Sequence, residues 1–299
     1  MGTVIIDKEI CIGCGLCVDV CPYNAIQLVE NRAVYVLQDC FSCDHCRSVC
    51  PVDAVSVAGL VSGMNFSTFT ERAEVVQPGA GGMAEIVALM RSRRSCRRYS
   101  GKTVSLSLLK DLVKIGTTAP SGTNSQPWRF SILPERQDVL FLGDLTADYY
   151  RNLNRQAQNR ALRLLMKLFG RDKLGIYYRK YHDSVQESLR EWDEEGRDRL
   201  FHGATAVILV AAGSDASCPA EDALLATQNM LLAAHAAGLG SCLVGFAVEA
   251  MRRNSSIRKK MKIAEDMDVY TVIGLGYPDV KYMRFSGRRS VVPEILRFN

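Results

Sequence analysis

Histidine is scarce in this chain, at 4 in 299 residues, and tryptophan occurs twice. His182, His202 and His235 have no second ligand at metal-binding spacing, which excludes a histidine-built metal centre and reads all three as structural. No apolar run is long enough for a membrane span: the longest, residues 204–213, is about half of what a transmembrane helix needs. No G-x-G-x-x-G follows a strand pattern, so a Rossmann-type dinucleotide site is not expected. Basic and aromatic residues are nowhere interleaved as nucleic-acid binders require, so no nucleic-acid partner is expected either. No secretory signal precedes the first motif, and no pairing pattern links Cys96, Cys218 and Cys242; the expectation is a soluble cytoplasmic protein with reduced thiols.

The remaining eight of the eleven cysteines are abundant and ordered. Cys11, Cys14, Cys17 and Cys21 precede Pro22, and Cys40, Cys43, Cys46 and Cys50 precede Pro51, each run reading C-x2-C-x2-C-x3-C-P. In that spacing three thiolates hold a 4Fe-4S cluster and the fourth crosses to the other cluster. Cys11, Cys14, Cys17 and Cys50 therefore form one set, and Cys40, Cys43, Cys46 and Cys21 the second. The flanks repeat with the same 29-residue offset, Ala25 mapping onto Ala54 and Ile26 onto Val55, which argues for two copies of one folding unit. Gly13 and Gly15 allow close backbone approach to a cluster. His45, inside the second run, reads as an exposed loop residue. A pair of zinc sites is the alternative, but zinc ribbons use two C-x2-C pairs rather than a third and fourth cysteine closed by proline. From Val4 to about Ala58 the chain resembles bacterial dicluster ferredoxins.

Charge is uneven. Residues 1–60 carry three basic and seven acidic side chains, a net of −4, which leaves +9 for the rest of a chain whose total is +5. An acidic electron-carrying unit on a basic body suits a docking partner and an anionic cofactor. The organisation expected is a cluster domain at 1–60, a Gly- and Ser-rich linker at 61–82, and a larger domain at 83–299.

The larger domain opens with a short helix from Met83 that delivers Arg93-Arg94-Ser95-Cys96-Arg97-Arg98-Tyr99, a cluster of guanidinium forks suited to a phosphate. A helix over 105–116 follows, then Pro120-Ser121-Gly122-Thr123-Asn124-Ser125-Gln126-Pro127-Trp128, a tight loop of small and amide residues that can approach a flat heterocycle. Buried strands are expected at 128–133, 204–211 and 270–274, and a long amphipathic helix at 222–238. Residues 148–199 have helical spacing and carry Tyr149, Tyr150, Tyr177, Tyr178, Tyr181 and Trp192; they read chiefly as a helical hairpin packed on the body, with a substrate lid as the functional alternative.

The two motifs together resemble the FMN-dependent nitroreductase family, with R-R-S-x-R-x-[FY] followed by A-P-S-x-x-N-x-Q-P-W, and the likeness continues through Gly238 to Phe246 and through Val272 to Pro278. The resemblance implies an α+β fold, a mostly antiparallel sheet surrounded by helices, in a homodimer with FMN at its interface. It implies that Arg93, Arg94, Ser95 and Arg97 engage the FMN phosphate and ribityl chain. Pro120, Ser121, Gly122 and Asn124 would contact the isoalloxazine from the neighbouring subunit, and Leu243, Val244 and Gly245 would pass their backbone beside the ring. Arg288 and Arg289 would complete the phosphate site, with Lys281 and Arg284 as competitors. The family binds nicotinamide without a G-x-G-x-x-G.

Two 4Fe-4S clusters and FMN in one chain make a converter between one- and two-electron chemistry. The expected reaction takes single electrons from a donor such as reduced ferredoxin and reduces a nitro compound, quinone or activated alkene. The alternatives are an NAD(P)H-dependent nitroreductase with accessory clusters, and a non-enzymatic electron-transfer protein docking on a larger complex. No side chain is singled out as a general acid.

Overall fold

The computed structural model describes residues 2–37, 40–170 and 172–298; Asp39, counted among the acidic residues, and the outer bounds 1 and 299 lie outside them. The N-terminal unit consists of β1 (Val4–Ile6), α1 (Leu16–Asp19), β2 (Ile26–Val29), β3 (Arg32–Tyr35), α2 (His45–Ser48) and β4 (Val55–Val57). β1 pairs antiparallel with β4, Val4 opposite Val57, and β2 forms a hairpin with β3. The sequence repeat is also a repeat of backbone conformation. Left-handed φ values recur at Gly13 and Ser42, at Gly15 and Asp44, and at Asn24 and Asp53, each pair one repeat apart. Gly13 has no alternative in this fold, because a Cβ there would lie 2.1 Å from the carbonyl oxygen of Asn31.

Residues 61–82 contain no helix or strand, yet their first part is docked. Asp111, fully buried on the helix Leu106–Gly116 of the body, accepts the amides of Ser67 (2.8 Å) and Thr68 (2.7 Å) and the Thr68 hydroxyl (2.8 Å). Lys114, one turn on, donates to the Asn65 carbonyl and lies over the Phe66 ring, which stacks on Phe69.

The body comprises α3 (Met83–Ser92), α4 (Leu106–Gly116), β5 (Trp128–Leu133), α5 (Arg136–Gln158), α6 (Arg160–Leu168), α7 (Lys173–Lys180), α8 (His182–Glu195), β6 (Ala206–Gly213), α9 (Pro219–Ala236), β7 (Gly240–Leu243), α10 (Gly245–Arg253), α11 (Ser255–Lys260) and β8 (Met267–Gly276). Four strands form an antiparallel sheet in the order β5-β6-β8-β7. β6 is buried along its whole length because both faces are covered. Val207, Leu209 and Ala211 pack with residues of α5, α8 and α10 on one side, and Ala206, Ile208, Val210 and Ala212 with α4 and α9 on the other. Ser105 caps α4 by accepting the Leu108 amide, and Pro219 starts α9 where its missing N–H costs nothing.

The strand expected from Ala204 begins two residues later. Residues 200–203 instead form a turn in which Asp198 accepts the amides of Leu200, Phe201 and Gly203 and pairs with Arg136 at 2.8 Å. The aromatic segment expected from Asp148 has no boundary there, since Asp148 sits inside α5 and the extension grows out of one long helix. No described helix is long and apolar enough to cross a membrane.

Burial works against ionisation of Asp111, but the bonds from Thr68, Ser67 and Lys114 outweigh it and hold the carboxyl below its ordinary range. A depressed carboxyl stabilises the folded form above its unfolded pKa of about 3.9 and ceases to do so as pH falls through the folded value. Asp111→Asn should cost roughly 1–3 kcal/mol of docking. Hydrogen exchange should then show the Ser67 and Thr68 amides protected down to pH 5 and losing protection below the carboxylate range, while in the variant they are weakly protected at every pH. Equal protection in the variant at pH 7 would remove Asp111 from this role.

Candidate functional site

Three cysteines of the first run curl around α1, and the last cysteine of the second run, just past α2, swings over to meet them. Cys11, Cys14, Cys17 and Cys50 line one small cavity with Gly13, Gly15 and apolar residues that include Ala33 and Val55. These are the four cysteines that the spacing groups together. The amides of Ala25 and Ala54 donate to the Cys21 and Cys50 sulfurs at 3.3 and 3.2 Å, equivalent bonds in the two repeats, and Ser42 donates to Cys40 at 3.3 Å. None of the cysteines is in a disulfide. The backbone bond from Ala33 lowers Cys11, whereas burial pushes Cys46 up to about 11 and raises Cys17. Among the described residues no three His, Cys, Asp or Glu side chains converge as a single metal ion requires. Four sulfurs lining one cavity could hold a polynuclear cluster.

In the body, the Arg-rich motif lies along the free edge of β7. Ser95 makes a parallel bridge with Ser241, and the Cys96 amide donates to the Ser241 carbonyl at 2.9 Å. The fit is tight: a Cβ on Gly240 would sit 2.7 Å from Cys96, and one on Gly276 would sit 2.9 Å from the Tyr99 ring. Tyr99 donates to the carbonyl of Cys96 at 3.0 Å and reaches that of Gly274 at 3.3 Å, and burial drives its phenol far above its ordinary value. It clamps the motif to the sheet, a role its place at the end of the motif did not disclose. Cys96 and Cys242 are buried packing residues.

This arrangement turns Arg97 into a cleft of about 880 Å³ that is also lined by Cys242, Leu243, Val244 and Gly245. Tyr149, Tyr150, Tyr177, Tyr181 and Phe246 wall it. These rings also pack on each other, Tyr150 lying 5.3 Å from Phe246, and Tyr177 donates to Asn154 at 2.6 Å, so the packing and lid readings describe the same side chains. Tyr178 stacks instead on His182 and Arg163, and Trp192 packs against Gly143 and donates to Asp144. His202 lines the cleft, and burial lowers its pKa.

Arg93 and Arg94 line a neighbouring groove of about 400 Å³ with Ser241, Lys281 and Arg284. The Ser241 hydroxyl there is buried without a partner, an orphan that a bound anion's oxygen would satisfy. Arg288 and Arg289 do not line the groove; Arg288 bonds to Ser286 and the Gly287 carbonyl. Ser95 is exposed between groove and cleft.

The loop with Pro120, Ser121, Gly122 and Asn124 is elsewhere. It leads into β5, at the sheet edge opposite β7, and none of its residues lines the cleft. Three strand spacings separate those edges, about 14 Å, and the five-residue offset along β8 between the partners of Trp128's neighbour Ala212 and of Leu243 adds about 17 Å lengthwise. The loop is held hard. Gly122 donates to buried Asp222 at 3.0 Å and has no room for a Cβ beside Ser217, Ser121 accepts the Gln126 amide, and Thr123, Asn124 and Gln126 all have φ near +50°. The Asn124 side-chain amide donates to the carbonyl of Ser42, inside the second cysteine run.

Residues 4–57 match the 4Fe-4S dicluster domain, and residues 90–277 the nitroreductase family. The chain is 25% identical over 201 residues to a putative NADH dehydrogenase/NAD(P)H nitroreductase of Archaeoglobus fulgidus, covering 66% of this chain and 87% of that one. It is 26% identical over 213 residues to a 4-nitrobenzoate reductase of Pseudomonas putida, covering 64% and 85%. Its fold is that of an FMN-bound nitroreductase from Desulfitobacterium hafniense, with a TM-score of 0.53 at 19% identity over 72% of this chain and 100% of the other. With the family match spanning most of the body, the chain belongs to the nitroreductase family and carries a 4Fe-4S dicluster domain ahead of it.

Proposed function

We propose that the protein is an FMN-dependent oxidoreductase in which two 4Fe-4S clusters feed single electrons to FMN held in the Arg97 cleft, for reduction of an electron-poor small molecule such as a nitro compound, a quinone or an activated alkene. The observation that carries this reading is that Arg97, Leu243, Val244 and Gly245 line one aromatic-walled cleft, beside a groove bearing Arg93 and Arg94. When bound, FMN supplies the exchange between one-electron and two-electron transfer.

The chain's own residues supply binding, orientation and exclusion of water. Arg93, Arg94 and Arg97 with the Ser95 hydroxyl take the phosphate and ribityl chain by charge-assisted bonds. Ser241 adds a donor, and Lys281 and Arg284 stand in the same groove, with Arg288 and Arg289 further along the exposed tail. Helix α10 begins at Gly245, so its first amides are free to donate into the cleft. Tyr150, Tyr177 and Tyr181 keep water from the site, and substrate choice lies with this wall. Protons come from solvent. A second copy of the chain contributes Pro120, Ser121, Gly122 and Asn124, since a protomer's own loop is on the wrong edge of its sheet; the working form is a homodimer. Thiolate-held clusters need a reducing compartment, the cytoplasm.

NAD(P)H as the donor is a second reading, favoured by the name of the archaeal relative. A reductive titration of anaerobically purified protein separates the two. The expected result is about eight iron atoms and one flavin per chain, with the flavin bleached rapidly by a reduced low-potential one-electron carrier and slowly by NADPH. Rapid bleaching by NADPH that is indifferent to iron removal would establish the second reading. Colourless protein, or flavin that never exchanges electrons with iron, would end the first.

Two further outcomes follow from the assignments. Arg97→Ala and Arg93→Ala should each weaken FMN binding by roughly tenfold to a hundredfold, the loss of a charged hydrogen bond worth about 1.5–3 kcal/mol, read by flavin fluorescence on dilution. Chelating the iron should leave flavin content unchanged while abolishing rapid reduction by the one-electron carrier.

A further inference from the structure

The linker after the cluster unit and the cluster unit itself are each bonded to the body, through α4 and through the loop that follows it. Asp111 and Lys114 of α4 hold residues 65–68, and the loop that follows α4 holds the second cysteine run through Asn124 and Ser42. Ser42 lies between Cys40 and Cys43, so the backbone bonded to Asn124 is the loop that would carry the cluster of Cys40, Cys43, Cys46 and Cys21. The same Asn124 is far from the cleft of its own protomer. Two buried strands stand between the β5 edge, where this loop lies, and the β7 edge, where Arg97 and Leu243 lie.

We propose that electrons cross between subunits: the cluster of Cys40, Cys43, Cys46 and Cys21 in one subunit delivers to the flavin held by Arg97 and Gly245 of the partner subunit. This rests on the reading that a second copy's loop completes the cleft, because whichever cleft receives that loop receives the cluster bonded to it. The set of Cys11, Cys14, Cys17 and Cys50 is then the outer station. Its first loop is turned toward its own hairpin, with Gly13 against Asn31, and Cys14 is exposed toward an incoming donor. The electrons balance. Each cluster takes one electron from a low-potential one-electron donor and releases one, and two such deliveries with one proton from water convert one oxidised flavin to its two-electron-reduced form, returning both clusters to their oxidised state.

Paired heterodimers separate delivery between subunits from delivery within one. In the first, one chain carries Cys40→Ala and Cys43→Ala and the other carries Arg93→Ala and Arg97→Ala. In the second, one chain carries all four substitutions and the other none. Both hold one flavin and one functional cluster unit per dimer, verified by iron and flavin content, so composition does not distinguish them. With methyl viologen radical as donor, and the clusterless homodimer setting the background, the first heterodimer should bleach its flavin at the wild-type rate and the second only at background. A background rate in the first overturns the proposal, whatever the second does. A wild-type homodimer no faster than background would instead overturn the underlying function. An independent readout needs no turnover. In protein poised part-reduced, paramagnetic broadening of the flavin signal should vanish in the second heterodimer and persist in the first; the reverse also overturns the proposal.

Discussion

Two buried strands set the terms for everything else in the body. β6 and β8 run antiparallel through its centre with both faces covered, and every group with chemistry to offer is displaced to one of the two sheet edges they hold apart. At the β7 edge, unpaired strand backbone accepts the Arg-rich motif, and the absence of side chains at Gly240 and Gly276 lets Cys96 and Tyr99 approach closely enough to lock it. At the β5 edge, a strained loop is tied to buried Asp222 and to the cluster unit. Neither edge can reach the other through a packed sheet. The proposed homodimer would bring the two edges of different copies together.

Where a repeat or a short bounded run carries the signal, much was legible in the sequence. The crossed set of Cys50 with Cys11, Cys14 and Cys17 needs only the repeat, and the strand at 128–133 appears at those same residues because Trp128 and Leu133 bound a short run between turn formers. What was not legible depends on partners distant in the chain. β7 is a four-residue strand of mostly small side chains whose identity comes from pairing with β8, and nothing local marks it. Asp111 looks like a polar residue on an amphipathic helix, and only the returning chain at Ser67 and Thr68 explains its burial. The C-terminal bases have no period or motif to rank them, so their sorting waits on where the tail after β8 passes Arg93. The aromatics of α5, α7 and α8 posed a choice between packing and recognition that the fold declines to make, because a ring walling a cleft must also rest on its neighbours.

The two halves of the cluster unit show how a repeat acquires direction. They share spacing, left-handed positions and the amide bonds to Cys21 and Cys50, and so they begin as equals. The difference lies at Gly13 and its counterpart Ser42. The turn between β2 and β3 folds over the first loop so closely that Asn31 leaves no space for a side chain, and Arg32 donates to the Cys11 carbonyl from the same turn. That loop's backbone is committed within its own unit. In the second loop Gly2 donates to the Cys40 carbonyl and lies against the Ser42 side chain, while the Ser42 carbonyl accepts from Asn124. The hairpin over the first copy and Gly2 beside the second thus give the two loops different neighbours without any change in the cysteines themselves.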